Sequence, residues 1–213
     1  MRDWEIPPDC LEAARVLAEQ FHVNERLTCI RTAARLYEEA RKIGPDGLCV
    51  EVGVWCGWTA AVMAAAGPTV LCVDTFRASD SWVDGDAHSL GVDRSGYKWG
   101  TLAHYARNIC RRGLGHQIAA IQAMSLEAAG AMGVNQADLV FLDGNHNYLD
   151  VVGAIIGWQH VLPPGGVLCG DNWEAGNVSG AVERSVAVLG WPDLWHANGD
   201  GGDQLWLVRK PKP

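Results

Sequence analysis

Basic residues are in short supply in this sequence. Lys and Arg number 17 against 25 Asp and Glu, a net charge of −8, which argues against wholesale binding of nucleic acid or an anionic membrane surface, since either needs a basic face. No apolar run is long enough to span a bilayer, and Met1-Arg2-Asp3-Trp4-Glu5-Ile6-Pro7-Pro8 holds no apolar signal core. Cys-x-x-Cys never occurs, and the seven cysteines are an odd number. With Cys49, Cys72 and Cys169 inside apolar runs, the thiols read as small reduced hydrophobes of a cytoplasmic protein. They suit neither a disulfide frame nor a zinc site. Internal repeats and low-complexity tracts are missing too.

What remains is an ordinary globular composition, 48% hydrophobic and 20% charged over 213 residues, enough for one domain with a sizeable core. Asp9 after Pro7-Pro8 is placed to cap a first helix, with Glu12 reaching back, and Leu11, Ala14, Ala18 and Phe21 form its stripe. A second helix is expected from Asn24, striped by Leu27, Ile30, Ala34 and Tyr37 and stopping before Gly44-Pro45. These helices make residues 1–44 an N-terminal helical cap, lying over a ligand site or simply packing on the sheet. The rest of the chain, 45–213, belongs to the same structural domain.

From Leu48 onward, short apolar runs alternate with helical patterns. Strands are expected at Leu48 to Gly53, Thr69 to Asp74, Gln117 to Gln122, Ala137 to Asp143 and Val167 to Asp171. Helices are expected at Gly57 to Ala66, Thr101 to Arg112, Ser125 to Met132, Asn147 to Leu162 and Asn177 to Leu189. Two final strands between Asp193 and Arg209 flank the Gly-rich link Asn198-Gly199-Asp200-Gly201-Gly202. The fold class is therefore α/β, a doubly wound and mostly parallel sheet. Residues 77–100 follow no period, and loops of that length usually carry function or lack order. Trp82, Asp84, Asp86, Tyr97 and Trp99 in it are expected to form a substrate wall.

Two strand ends organise the rest. Leu139-Val140-Phe141-Leu142 runs into Asp143-Gly144-Asn145-His146, and Val167-Leu168-Cys169-Gly170 runs into Asp171-Asn172. Ligands of open α/β sheets bind outside the carboxyl ends of the strands. Two carboxylates and an amide oxygen gathered there suit Mg²⁺, with Ca²⁺ or Mn²⁺ as alternatives. His146, three residues past Asp143, is the candidate base, since an imidazole ordinarily titrates near neutrality.

Around the first strand, Val50-Glu51-Val52-Gly53-Val54-Trp55-Cys56-Gly57-Trp58-Thr59 is a strand, a glycine loop and a helix start. Its spacing, Glu-x-Gly-x-x-x-Gly, lacks the third glycine of a dinucleotide fingerprint. An acid at position 51 favours a cationic ligand, and S-adenosylmethionine, with its ammonium and sulfonium, suits the loop better than a pyrophosphate. Asp74, about twenty residues past Gly53, stands where an acid can hold ribose hydroxyls; capping its own loop is the competing role. Ser125 is a contact for the adenine end or a helix cap.

From Glu51 onward the chain resembles the class I S-adenosylmethionine-dependent methyltransferases. Within them it is similar to the metal-dependent macrocin and mycinamicin sugar O-methyltransferases and their cephalosporin-biosynthesis relatives. The resemblance rests on the Glu51–Thr59 loop, Val73-Asp74-Thr75-Phe76, Asp138 through Tyr148, and Leu162-Pro163-Pro164-Gly165-Gly166 through Asp171-Asn172. It implies a seven-stranded sheet in the order 3-2-1-4-5-7-6 with the last strand antiparallel. It also implies cofactor contacts from Glu51, Gly53, Gly57, Trp58, Thr59, Asp74, Thr75, Ser125 and Asp143. Metal ligation falls on Asp143, Asp171 and Asn172, and the base on His146. The family's third ligand is often acidic, but its catechol-methylating members carry asparagine there. The expected activity is Mg²⁺-assisted O-methylation of a small-molecule hydroxyl, a sugar or phenol of a natural product, by a possible homo-oligomer. The rival readings are a metal-independent methyltransferase, a nicotinamide oxidoreductase, and a non-catalytic module that keeps the cofactor fold.

Overall fold

The computed structural model describes residues 4–21, 26–76 and 102–213. The expected substrate wall at 77–100 lies outside these residues, as does Asn24.

Seven strands form one sheet in the order β3-β2-β1-β4-β5-β7-β6. They are β1 (Leu48–Val52), β2 (Thr69–Asp74), β3 (Ile118–Gln122), β4 (Leu139–Leu142), β5 (Val167–Gly170), β6 (Trp195–His196) and β7 (Trp206–Arg209). The first five are parallel, and β7 runs antiparallel to both β5 and β6. The helices are α1 (Pro8–Ala18), α2 (Ile30–Ile43), α3 (Trp58–Ala65), α4 (Leu102–Arg111), α5 (Ser125–Ala131), α6 (Tyr148–Trp158) and α7 (Gly176–Leu189).

All four residues of β4 and all four of β5 are buried, as expected for parallel strands covered on both faces. Their side chains alternate between two cores. Val140, Leu142, Leu168 and Trp206 meet Ile155 and Trp158 of α6 and Val182 of α7 on one face. Phe141, Cys169 and Leu207 meet Leu36 of α2, Met63 of α3 and Tyr105 of α4 on the other. A third cluster, small and alanine-rich, joins α1, α2 and α3 through Ala14, Ala18, Ala33, Ala34, Ala61 and Trp58.

Three expectations need correction. Asp9 does not cap α1: Pro7 holds the N-cap position without a side-chain bond and Pro8 opens the helix. A first-turn proline has no N–H to satisfy, and the Asp9 carboxylate instead pairs with Arg41 of α2. The second helix begins at Ile30, not Asn24, because the Cys29 sulfur takes the N-cap and accepts the Thr32 amide at 3.4 Å. Leu27 therefore lies outside the helix and is exposed. Finally, the β6–β7 link spans 197–205 and contains a short 3₁₀ turn at Asp200–Gly202. It is long because Asp203 turns inward, where its carboxylate receives the Thr32 hydroxyl at 3.0 Å and the Arg35 Nε–H at 2.7 Å.

Candidate active site

Among the described residues, Gly53, Asp74, Ser125, Asp143 and Asp171 stand at or just past the carboxyl ends of β1 to β5. The glycine loop after β1 is drawn tight by contacts within the chain. Gly53 has φ +84°, and a Cβ there would sit 2.2 Å from the carbonyl oxygen of Asp143. Gly57, the N-cap of α3 at φ +83°, has the Tyr105 ring and Ile109 where a Cβ would point, at 3.0 to 3.1 Å. Both glycines thus close the loop against β4 and α4, a packing demand separate from any ligand.

Asp74 ends β2 beneath this loop. Its Oδ2 accepts the Val54 amide at 2.7 Å and the Trp55 amide at 3.3 Å, and its Oδ1 accepts the Phe76 amide at 2.7 Å. The loop-capping role is therefore realised, while a carboxylate still has acceptor capacity left over. Glu51 is fully buried. One of its oxygens accepts the Thr59 hydroxyl, and the other has no partner. Burial holds this carboxyl well above the usual range; the nearby Asp143 and Asp74 add to that, and Thr59 works against it.

Three expected cofactor residues also have contacts within the chain. Trp58 packs edge-on to Phe21 at 5.4 Å, and its Nε1–H donates to the Thr28 carbonyl at 3.3 Å. The Thr75 carbonyl accepts the Gln122 side-chain amide at 2.9 Å. The Ser125 hydroxyl accepts the Trp158 Nε1–H at 3.0 Å. It does not cap α5, whose first free amide, Met124 N–H, bonds Glu127 instead.

The two organising strand ends do converge. Leu142 is registered opposite Gly170, so Asp143 and Asp171 leave neighbouring parallel strands at the same height. The Asp171 amide donates to the Leu142 carbonyl at 3.3 Å. Burial first, then the Asp143 charge, pushes the Asp171 carboxyl up to about 7. Burial also raises Asp143, opposed by His146 and by the Thr28 hydroxyl, which reaches its Oδ2 at 3.3 Å. His146 Nε2 lies 3.9 Å from Asp143 Oδ1. Asn172 adopts φ +63°, and its carbonyl accepts the Ala175 amide at 2.9 Å in the turn leading to α7.

Beside these groups is a cavity of about 270 Å³ lined by Ser125, Leu142, His146, Asp171, Val178 and Trp206, among others. His146 Nε2, Asp171 Oδ1 and Trp206 Nε1 are buried without hydrogen-bond partners. Buried polar atoms in folded proteins are rarely left so. Among the described residues no three His, Cys, Asp or Glu side chains form a metal-holding group by themselves. The set here is two carboxylates with an adjacent amide. Its mutual repulsion and its unpartnered oxygen fit a hard cation in kind.

Sequence reasoning missed Thr28, Asp203 and Trp206. Thr28 carries no local signal, because it lies between two helices and meets Asp143 only through a contact 115 residues long. Asp203 follows a glycine pair, so composition reads it as loop; its burial comes from Arg35.

The profile of a family described as a methyltransferase domain matches residues 50–173, well over half of the chain. The protein belongs to that family. No curated protein sequence matches the chain. Solved structures share its fold at low identity. The O-methyltransferase TomG from Streptomyces achromogenes, involved in tomaymycin synthesis and solved with S-adenosylmethionine, is 17% identical. There the match covers 97% of this chain and 91% of that one, with a TM-score of 0.63. The O-methyltransferase NovP is 15% identical over 88% of this chain and 83% of its own, with a TM-score of 0.68. A putative caffeoyl-CoA O-methyltransferase from Staphylococcus aureus is 15% identical over 94% and 91%, with a TM-score of 0.64. The methyltransferase also has, among the described residues, no helix long and apolar enough to cross a membrane.

Proposed function

We propose that this methyltransferase moves the methyl group of S-adenosylmethionine to a hydroxyl of a small molecule, assisted by a divalent cation, Mg²⁺ in the first instance. The observation that carries the reading is the pairing of Asp143 with Asp171. Two carboxylates leave adjacent strand ends together, one oxygen is unpartnered, and His146 stands beside them. O-methyltransferases among the structural neighbours support the choice of acceptor atom.

Asp143, Asp171 and Asn172 would hold the cation, which supplies Lewis acidity toward an acceptor hydroxyl. The chain's own residues then have separable tasks. His146 Nε2, free of other partners, takes the acceptor proton. Glu51, Asp74 and Asp143 make the loop region acidic, and among the described residues no Lys or Arg forms an ion pair with any of them. A cofactor carrying ammonium and sulfonium charges would stabilise the ionised forms that burial disfavours; a pyrophosphate would not. Ser125 and the apolar wall of the cavity suit the flat adenine end. The acceptor is a sugar or phenolic hydroxyl of the natural-product kind, as in the macrocin and mycinamicin enzymes that the motifs resemble.

The test uses the full chain, stripped by chelator, incubated with S-adenosylmethionine and a panel of catechols and glycosides, with release of S-adenosylhomocysteine as the readout. Turnover that vanishes on chelation and returns with Mg²⁺ is expected. Undiminished turnover in chelated enzyme would leave methyl transfer standing and remove the cation.

A further inference from the structure

Thr28 is not part of the segment that matches the methyltransferase-domain profile, which begins at residue 50. It is nevertheless buried, at 6% exposure, in the stretch joining α1 to α2. Two contacts fix it there. Its carbonyl accepts the indole N–H of Trp58 at 3.3 Å, and its hydroxyl donates to Asp143 Oδ2 at 3.3 Å. Trp58 is itself buried in the cluster with Ala18 and Phe21, so Thr28 is held by the core of the helical layer and not by a surface turn.

The consequence concerns which oxygen of Asp143 is occupied. Thr28 takes Oδ2, while Oδ1 lies toward His146 at 3.9 Å. A carboxylate with one oxygen tied has one orientation to offer. Groups that hydrogen-bond a ligating side chain commonly set its geometry, and their loss typically costs 10- to 100-fold in metal affinity.

We infer that Thr28 is the positioning residue of the cation site: its hydroxyl locks the Asp143 carboxylate so that Oδ1 faces the cation and His146. The inference rests on the metal-assisted reading above. It also gives the N-terminal helices a task, because they deliver a hydroxyl to the far side of the sheet edge through the Trp58 anchor.

The test compares wild type, Thr28→Val, which keeps the shape and loses the hydroxyl, and Thr28→Ser, which keeps the hydroxyl. Mn²⁺ binding to chelator-stripped protein is read by calorimetry and by electron paramagnetic resonance, and S-adenosylmethionine affinity is measured without metal. Thr28→Val should weaken Mn²⁺ binding about 10-fold or more, with cofactor affinity changed less than about twofold. Thr28→Ser should bind Mn²⁺ as wild type does. Unchanged or tighter Mn²⁺ binding in Thr28→Val overturns the inference, as does parallel loss of Mn²⁺ and cofactor in both variants, which marks a role in packing alone. Wild-type protein that binds no Mn²⁺ refutes the cation reading itself, a failure visible before any variant is made.

Discussion

Asp143 is the side chain on which most of the proposed chemistry converges: it meets Thr28, adjoins His146, raises Asp171, and lends its carbonyl to the packing of Gly53. His146 is the sharper test at this scale, because its Nε2 has no structural bond to lose. His146→Ala should lower kcat by about 10²- to 10⁴-fold while S-adenosylmethionine affinity and melting temperature stay close to wild type. Calorimetry and single-turnover kinetics separate the two. A variant with wild-type kcat would move the base elsewhere. Glu51 presents the opposite case, a carboxyl with one neighbour, Thr59, and an unpartnered oxygen in full burial. It is enclosed because it lies in β1, a strand buried on both faces; what the local sequence does not reveal is that Thr59 is its side-chain partner.

The elements themselves were largely legible. Short apolar runs bounded by glycine, proline and asparagine become strands because β1, β4 and β5 bury both faces, and Glu51 is the one carboxyl side chain in the three. The strand order and the antiparallel β7 match what the motif resemblance implied. Helix starts were less legible, since caps are decided by single side chains: Cys29 sets α2 and Pro8 sets α1. For the site, periodicity and strand ends located Asp143 and Asp171, but hydrogen bonds that span the chain, such as Thr28 to Asp143, leave no trace in local pattern. The glycine loop supplies a prediction at this scale. Gly53→Ala must adopt φ near +84° and place a Cβ 2.2 Å from the Asp143 carbonyl oxygen. Strain and overpacking together should cost about 3 kcal/mol, read as a lower urea midpoint with unchanged m-value. A loss below about 1 kcal/mol would show that the loop and β4 are not in register as described.

At the scale of the whole molecule, acidity is both global and concentrated. The chain carries −8 overall, and burial raises Glu51, Asp143 and Asp171 together at one edge of the sheet. Their folded values lie above the unfolded range of about 4, so the folded chain binds more protons than the unfolded chain in between. Stability from this source is complete below about pH 4 and is lost as pH rises through the folded values, about 7 for Asp171. Without added cation, the melting temperature should therefore fall between pH 5 and 8 by differential scanning calorimetry. Saturating Mg²⁺ should flatten that fall, since a bound cation favours the ionised forms. A melting temperature that rises across the same window would contradict the crowding of these carboxylates.

Arg35 has a consequence for how the parts of the fold close on one another. Its guanidinium lies 4.9 Å from the ring of Trp4 and 4.8 Å from that of Trp195, and its counter-ion is Asp203. Without the β6–β7 link in place this cation has no carboxylate at 2.7 Å, and a charge without a counter-ion is costly to enclose. The helical layer that carries Arg35 and the link that carries Asp203 are therefore bound to each other's packing, although 168 residues separate the two side chains.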